Sequence, residues 1–293
     1  VTVDMPITEQ TGAGSATITK EADGRTTVTV QVKREKLENL LKPGGNKPVV
    51  LDVNTKAKQD NLKLNIPSSI FSDAAKTQKQ VVVNSNDIAF AFEPGTFSPE
   101  SISGDVKLEV SQLTADSIPD IMKNKDAASD ELSLVFDFNL SIGNNTVTDF
   151  NKPVTITVKF DASKVTDLSK VGVYYYNEKD GRWEYVGGKA NPDGTITFTV
   201  EHFSKYCTME YKKTFDDIKN HWAKAEIELL ISKHIARSEN ERTFAPDKNI
   251  TRAAFASMIV KALDIKGINT GKVFADIPVG SWYKEDVYKA YAA

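Results

Sequence analysis

Cysteine occurs once among the 293 residues, at Cys207, so no internal disulfide can cross-link the chain. The phrase around it, FSKYCTM, is apolar and brings no cation to activate a thiolate, and a buried, inert thiol is expected. Histidine is almost as scarce. His202, His221 and His234 share no spacing that suggests a zinc site. The acidic residues do not fall in an EF-hand pattern, and neither a phosphate-binding glycine loop nor a nucleophile elbow is present. Charge of one sign is also missing: 37 basic against 40 acidic residues, interspersed, leave no general basic surface for nucleic acid. No apolar run approaches membrane-spanning length. Val1 opens a strand-like alternation without a signal-peptide pattern, so the chain reads as a mature or excised fragment. The sequence therefore predicts neither a metal nor another cofactor.

What is present is β signal, over the first two-thirds. TTVTVQV (26–32), KPVVLDV (47–53), QVVV (80–83), IAFAF (88–92), VKLEV (106–110), ELSLVFDFNL (131–140), VTITVKF (154–160), VGVYYY (171–176) and TITFTV (195–200) alternate or run apolar. Turn phrases such as ADG, EPG, EKDGR and NPDG separate them. REKLENLLK (34–42) and SIFSDAAKTQ (69–78) instead repeat apolar residues at three and four, which predicts two short helices. Together these features predict an antiparallel β-sandwich-like block, with a sub-block over 1–84 and a sandwich module over 85–212. Tyr174, Tyr176, Trp183 and Tyr185 cluster near one hairpin, where they either pair across strands in the core or present a carbohydrate-stacking platform.

From Asn220 the period changes to about 3.6. Ala223, Ile227, Leu230, Ile231 and His234 share one stripe, and Phe255, Met258, Ile259, Ala262 and Leu263 form a second stripe expected to be buried. Thr251 is the expected N-cap of the second helix, with Ile250 placed to staple against Phe255. The opening phrase of this region, FDDI at 215–218, returns at 274–277 as FADI, followed in each case by tryptophan, Trp222 and Trp282. Asp217 and Asp276 within the phrase suit turn or helix capping better than ligand binding.

Phe215-x-Asp217-Ile218, His221-Trp222-Ala223, Ile227, Leu230, Phe244-x-Pro246, Ile250-Thr251-Arg252-Ala253 and Phe255-Ala256 together resemble the S-layer homology domain of Gram-positive surface proteins. The resemblance covers about a quarter of the chain and implies one α-helical repeat over 213–271, with a truncated second repeat over 272–293. It implies noncovalent attachment of a secreted protein to secondary cell-wall polysaccharide, linked to peptidoglycan and often pyruvylated. The binding residues it implies are Arg252, Trp222, Trp282 and Thr251. The chemistry is apt: a guanidinium meets carboxylates through parallel hydrogen bonds, and an indole face suits a sugar ring. Each also has a structural reading, as a solvated or ion-paired arginine and as helix-start packing. IAFAFEPGTFSPESISGDVKLEV and VYYYNEKDGRWEYVGG are similar to the β-modules that precede such repeats, and distantly to ZU5-type domains.

The departures are specific. The family's Thr-Arg-Ala-Glu has Ala254 in its fourth place, which removes the reciprocal half of the capping box. Its Gly-Ile-Val-x-Gly is replaced by His234-Ile235-Ala236-Arg237-Ser238, which is expected to alter the turn. An incomplete second repeat would leave apolar faces uncovered and favour self-association. The sequence thus predicts a noncatalytic surface or S-layer fragment. Two alternatives stand beside it: a surface enzyme whose catalytic domain lies upstream, and a self-processing β-domain cleaving at His202-Phe203-Ser204.

Overall fold

A computed structural model describes residues 6–45, 47–100, 102–113, 126, 128–133, 135–266, 272 and 274–293. The expected boundary between repeats at 271 lies outside these residues. The chain divides into two compact units, Val1–Glu210 and Tyr211–Ala293.

Two sheets make up the first unit. One has the order β1 (Ile7–Gln10), β2 (Gly14–Lys20), β3 (Thr26–Val32), β5 (Asn61–Ile66), β8 (Val106–Leu113), β10 (Val135–Ile142), β17 (Lys205–Tyr211), β13 (Val171–Asn177), β14 (Arg182–Gly187). Short strands β9 (Ser129–Glu131) and β11 (Asn145–Thr146) join it beside β17 and β10. The other runs β15 (Lys189–Ala190), β16 (Thr195–Val200), β12 (Val154–Lys159), β7 (Ile88–Phe92), β6 (Val81–Ser85), β4 (Val49–Asp52).

Period-two alternation sends one face of each sheet into a shared core. Val106, Leu108 and Val110 of β8 are buried, as are Val154, Ile156 and Val158 of β12. Phe90 of β7 and Phe138 of β10 meet edge to face from opposite sheets, centroids 5.4 Å apart. Each such ring contributes about 1.5–3 kcal/mol by leaving water. A smaller cluster lies outside this core, where Val135, Tyr174, Cys207 and Met209 pack with Trp183 and Tyr185. The Tyr185 ring lies over Gly172, where a Cβ would stand 2.4 Å from a ring carbon. Burial pushes the Tyr185 hydroxyl up to about 12. Tyr174 and Tyr185 are therefore packing residues, whereas Tyr176 and Trp183 form a half-buried pair farther along the hairpin, 5.4 Å between centroids. Cys207 is buried, with its sulfur 3.5 Å from the Ser133 carbonyl.

The antiparallel expectation needs one amendment. β3 pairs with β5, and β4 with β6, in parallel. Parallel neighbours require a crossover, and helices α1 (Glu38–Leu41) and α2 (Ser68–Lys76) lie in those two crossovers. Lys79 secures this region from inside: its buried ammonium donates to the Leu40 and Lys42 carbonyls at 2.7 Å, capping the end of α1. The proposed division at residue 84 does not survive. Position 84 falls within β6, and both sheets draw strands from either side of it. A period-two pattern reports which face a strand buries, not which distant strand it joins, so the cut could not be judged from alternation.

The second unit contains α3 (Lys224–Ser232), α4 (Arg252–Ala262) and α5 (Lys284–Ala292). Ile227 and Ile231 of α3 are buried as the periodicity predicts. On α4 the prediction fails. Phe255, Ile259 and Leu263 are 56%, 39% and 67% exposed, and the buried residues are Ser257 and Val260. Ala253, Ala254, Ala256, Met258, Ala262 and the larger residues make this helix apolar nearly all round, so no single stripe was dictated. The face actually buried brings the Ser257 hydroxyl to the Asp286 carboxylate of α5. Ile250 and Phe255 are both mostly exposed, so the expected staple does not shield either.

Candidate functional site

The approach to α3 is organised by the first FDDI phrase. Phe215 and Ile218 are fully buried, and the Phe215 ring meets that of Phe244 at 5.8 Å. The Asp217 carboxylate accepts from the backbone N–H groups of Phe244 at 3.0 Å and Ala245 at 2.7 Å. Ala245 is thereby held at a φ of 62°, in the left-handed region. Those N–H donors hold the Asp217 carboxyl below its usual range. Asp216, held low first by Lys219 and then by Arg242, bonds Arg242 at 2.6 and 2.8 Å, which ties the loop after α3 to the same phrase.

The turn after α3 corrects the expectation drawn from the missing glycines. His234 has a φ of 53°, where glycine is usual, and the hydrogen bonds of a Schellman motif are intact. The Ile235 N–H donates to the Leu230 carbonyl and the His234 N–H to the Ile231 carbonyl, both at 2.9 Å. The left-handed backbone strains a non-glycine residue by about 1 kcal/mol, and contact of the imidazole with Tyr211, 5.1 Å between centroids, offsets part of this. Helix α4 ends the same way, with Asp264 at a φ of 49° and the Ile265 N–H donating to the Val260 carbonyl at 2.9 Å.

These loops and helices frame an open groove of about 780 Å³ within the helical unit. Trp222, Trp282 and Thr251 all line it, and Arg252 does not. Trp222 is 89% exposed and lies beside His221, whose Nδ1 accepts from the Ala223 N–H at 3.2 Å and so shapes the start of α3. Trp282, 47% exposed, occupies the equivalent place before α5. The Thr251 hydroxyl accepts from the Ala254 N–H at 3.1 Å, as an N-cap does, which leaves its own O–H to donate elsewhere. Arg252, the first residue of α4, is exposed and has no ion-pair partner among the described residues.

A different cation enters the groove. The Arg237 guanidinium lies over the Trp282 ring at 4.7 Å from its centroid, within cation–π range. Sequence reasoning met Arg237 only as part of the altered turn. Its aromatic partner belongs to the following repeat, and no local spacing signals that pairing.

The tripeptide His202-Phe203-Ser204 is placed for packing. The Phe203 ring is wedged among Phe90, Phe138 and Phe150, with centroids at 5.8, 5.8 and 4.8 Å. His202 meets the Tyr175 ring at 5.4 Å, and the Ser204 carbonyl accepts from the Phe138 N–H at 3.0 Å.

The chain is 34% identical to an amylopullulanase of Thermoanaerobacterium thermosulfurigenes over 267 residues, 91% of this chain but 14% of that protein. It is 44% identical to endo-1,4-beta-xylanase A of Thermoanaerobacterium saccharolyticum over 80 residues, covering 27% of this chain and 7% of the xylanase. A cellulosome-anchoring protein of Acetivibrio thermocellus is 27% identical over 142 residues, 45% of this chain and 32% of its own length. The chain thus spans a minor part of each of these relatives. Residues 214–256, which build most of the groove, match the S-layer homology domain, a module of cell-surface location and cell-wall anchoring.

Proposed function

We propose that the helical unit holds this chain noncovalently on secondary cell-wall polysaccharide, and that the β unit is a noncatalytic stalk or lattice unit of ZU5-like type. The observation that carries the reading is the groove, lined by two exposed indoles, Trp222 and Trp282, and built mostly from the segment matching the S-layer homology domain. Large exposed aromatic surface is unfavourable unless a partner covers it, and a pyranose ring offers an apolar C–H face with hydroxyls around its rim. Thr251 and the cations near the groove supply polar contacts for such a ligand. The exposed Phe255, Ile259 and Leu263 stripe supports self-association of the same unit.

Cosedimentation of the full chain with purified Gram-positive walls tests the anchor. Binding is expected to be lost when the polysaccharide is stripped from the peptidoglycan; retention on stripped walls would contradict the proposed partner. Arg252→Ala in the same assay asks whether this exposed cation also reaches the polymer from outside the groove.

A second reading concerns the parent protein. The amylopullulanase similarity extends across 91% of this chain, β unit included. This favours a surface enzyme whose catalytic domain lies elsewhere in the polypeptide, with both units present here serving its attachment. A catalytic signature in the adjoining coding sequence would support it; an adjoining sequence of further β-modules alone would favour the lattice protein.

A further inference from the structure

We propose that His221 is a positioning residue of the groove: its neutral imidazole holds Trp222 in place, and its protonation releases that indole, so that attachment weakens in acid. The weakened attachment rests on the polysaccharide reading above; the release of Trp222 does not.

The geometry begins with one hydrogen bond. His221 Nδ1 accepts from the Ala223 N–H at 3.2 Å, so the bond closes a loop around the backbone of the residue between them, Trp222. An imidazole nitrogen accepts only while it carries no proton, and the backbone donor therefore selects the neutral tautomer with its hydrogen on Nε2. Trp222 has little else to steady its ring. It is 89% exposed, and the ring beside it is that of His221, 5.5 Å between centroids and inclined at 32°. Both side chains line the groove.

Protonation makes Nδ1 a second donor facing the Ala223 N–H, and the bond is lost. It also sets a positive charge just before the first turn of α3, where the helix dipole opposes a cation. Asp247 offers the imidazolium another partner, with its Oδ1 3.8 Å from Nε2. The other charged groups around this corner are engaged: Lys248 with Glu239 at 2.6 Å, Lys224 with Glu228 at 3.9 Å, and Lys219 with Asp216 at 2.9 Å. Asp217 accepts from the Phe244 and Ala245 N–H groups, and Glu226 lies in the first turn of α3.

The second repeat supplies the contrast. Ser281 precedes Trp282 as His221 precedes Trp222, and its backbone is bonded in the same way. The His221 and Ser281 N–H groups donate to the Ile218 and Pro278 carbonyls at 3.1 and 3.2 Å, and their carbonyls accept from Lys224 and Lys284, both at 3.1 Å. The Ser281 hydroxyl donates to the Pro278 carbonyl at 2.8 Å and takes up no proton in the histidine range. Trp282 is steadied instead by the Arg237 guanidinium, 4.7 Å from its centroid. Acid thus loosens one aromatic wall of the groove and leaves the other.

The test follows the indole N–H signals of Trp222 and Trp282 in the full chain by nuclear magnetic resonance, assigned with Trp222→Phe and Trp282→Phe. Between about pH 8 and about pH 5, where histidine takes up its proton, the Trp222 signal is expected to move and the Trp282 signal to stay. Over the same range, binding to purified Gram-positive walls should weaken about fivefold, the size of one neutral hydrogen bond. His221→Asn, whose Oδ1 can accept the same N–H without titrating, should remove this slope and restore binding at the acid end; His221→Ala should bind weakly at both ends. Thermal melting of each variant separates lost binding from lost fold. Absence of wall binding at every pH would overturn the polysaccharide reading, while the indole signals would still decide the role of His221. A Trp222 signal that does not move, or a binding slope that persists in His221→Asn and so belongs to His234 or to the walls, would overturn that role.

Discussion

The two units treat their large apolar residues in opposite ways. In the β unit Phe90, Phe92, Phe138, Leu64 and Leu108 are fully buried, and Ile7 is the one large hydrophobic residue left exposed among those described. In the much shorter helical unit Trp222, Ile250, Phe255, Ile259, Leu263, Val279, Trp282 and Tyr291 all face solvent. A small domain buries a smaller share of its surface than a large one, but scaling alone does not place indoles at the mouth of one groove. The difference teaches where folding energy and binding energy reside. The β unit places its large phenylalanines in a core; the helical unit leaves Trp222, Phe255, Trp282 and Tyr291 open to solvent.

The sharpest way to break this contrast is to remove one ring from each unit. Phe138→Ala should destabilise the β unit by about 3–5 kcal/mol, while Phe255→Ala should cost under about 1 kcal/mol, as read by denaturant melts of each variant. Similar losses would mean that the exposed stripe is covered in solution. Trp222→Ala and Trp282→Ala should each weaken wall binding by about tenfold with little change in melting temperature, separating binding from stability. Cosedimentation and a thermal melt on the same sample check both halves.

Smaller effects refine the comparison at the backbone. Gln78 ends α2 at a φ of 54° with the same Schellman bonding as His234, so a non-glycine left-handed residue closes a helix in both units. Gln78→Gly should stabilise by about 0.5–1 kcal/mol. His234→Gly should gain less, because it gives up the Tyr211 contact. Equal gains would show that this ring contact is inert.

Acid provides the smallest effect. Asp216 and Asp217 both have folded pKa values below their unfolded ones, so their contribution is present above the ordinary carboxylate range and is lost as pH falls through the folded values. Asp216→Asn with Asp217→Asn should flatten that acid limb of the helical unit's stability profile; an unchanged limb would assign it to other groups.

Much of this fold was legible in the sequence. The strands at 26–32, 88–92 and 195–200 coincide with their apolar segments, because alternation and burial are the same fact there. β5, with the sequence NLKLNI, escaped notice: it is short, and asparagine and lysine interrupt its three buried residues, Leu62, Leu64 and Ile66. The parallel pairings were not readable, since strand partners lie far apart along the chain. Among the groove-lining residues, Trp222 and Trp282 were legible through the repeated phrase, and Thr251 as the expected N-cap of α4. The stacking of Arg237 on Trp282 was not, because that ring is supplied by the next repeat. The face buried by α4 was equally hidden, since a helix apolar on every side carries no directional pattern.

Hydrogen exchange on the full chain, with and without wall polysaccharide, tests the division of labour most directly. Added protection is predicted at the groove, in the segments around Trp222, Arg237, Thr251 and Trp282, with the β unit unchanged. Protection confined to the β sheets, with the groove unaffected, would contradict the account.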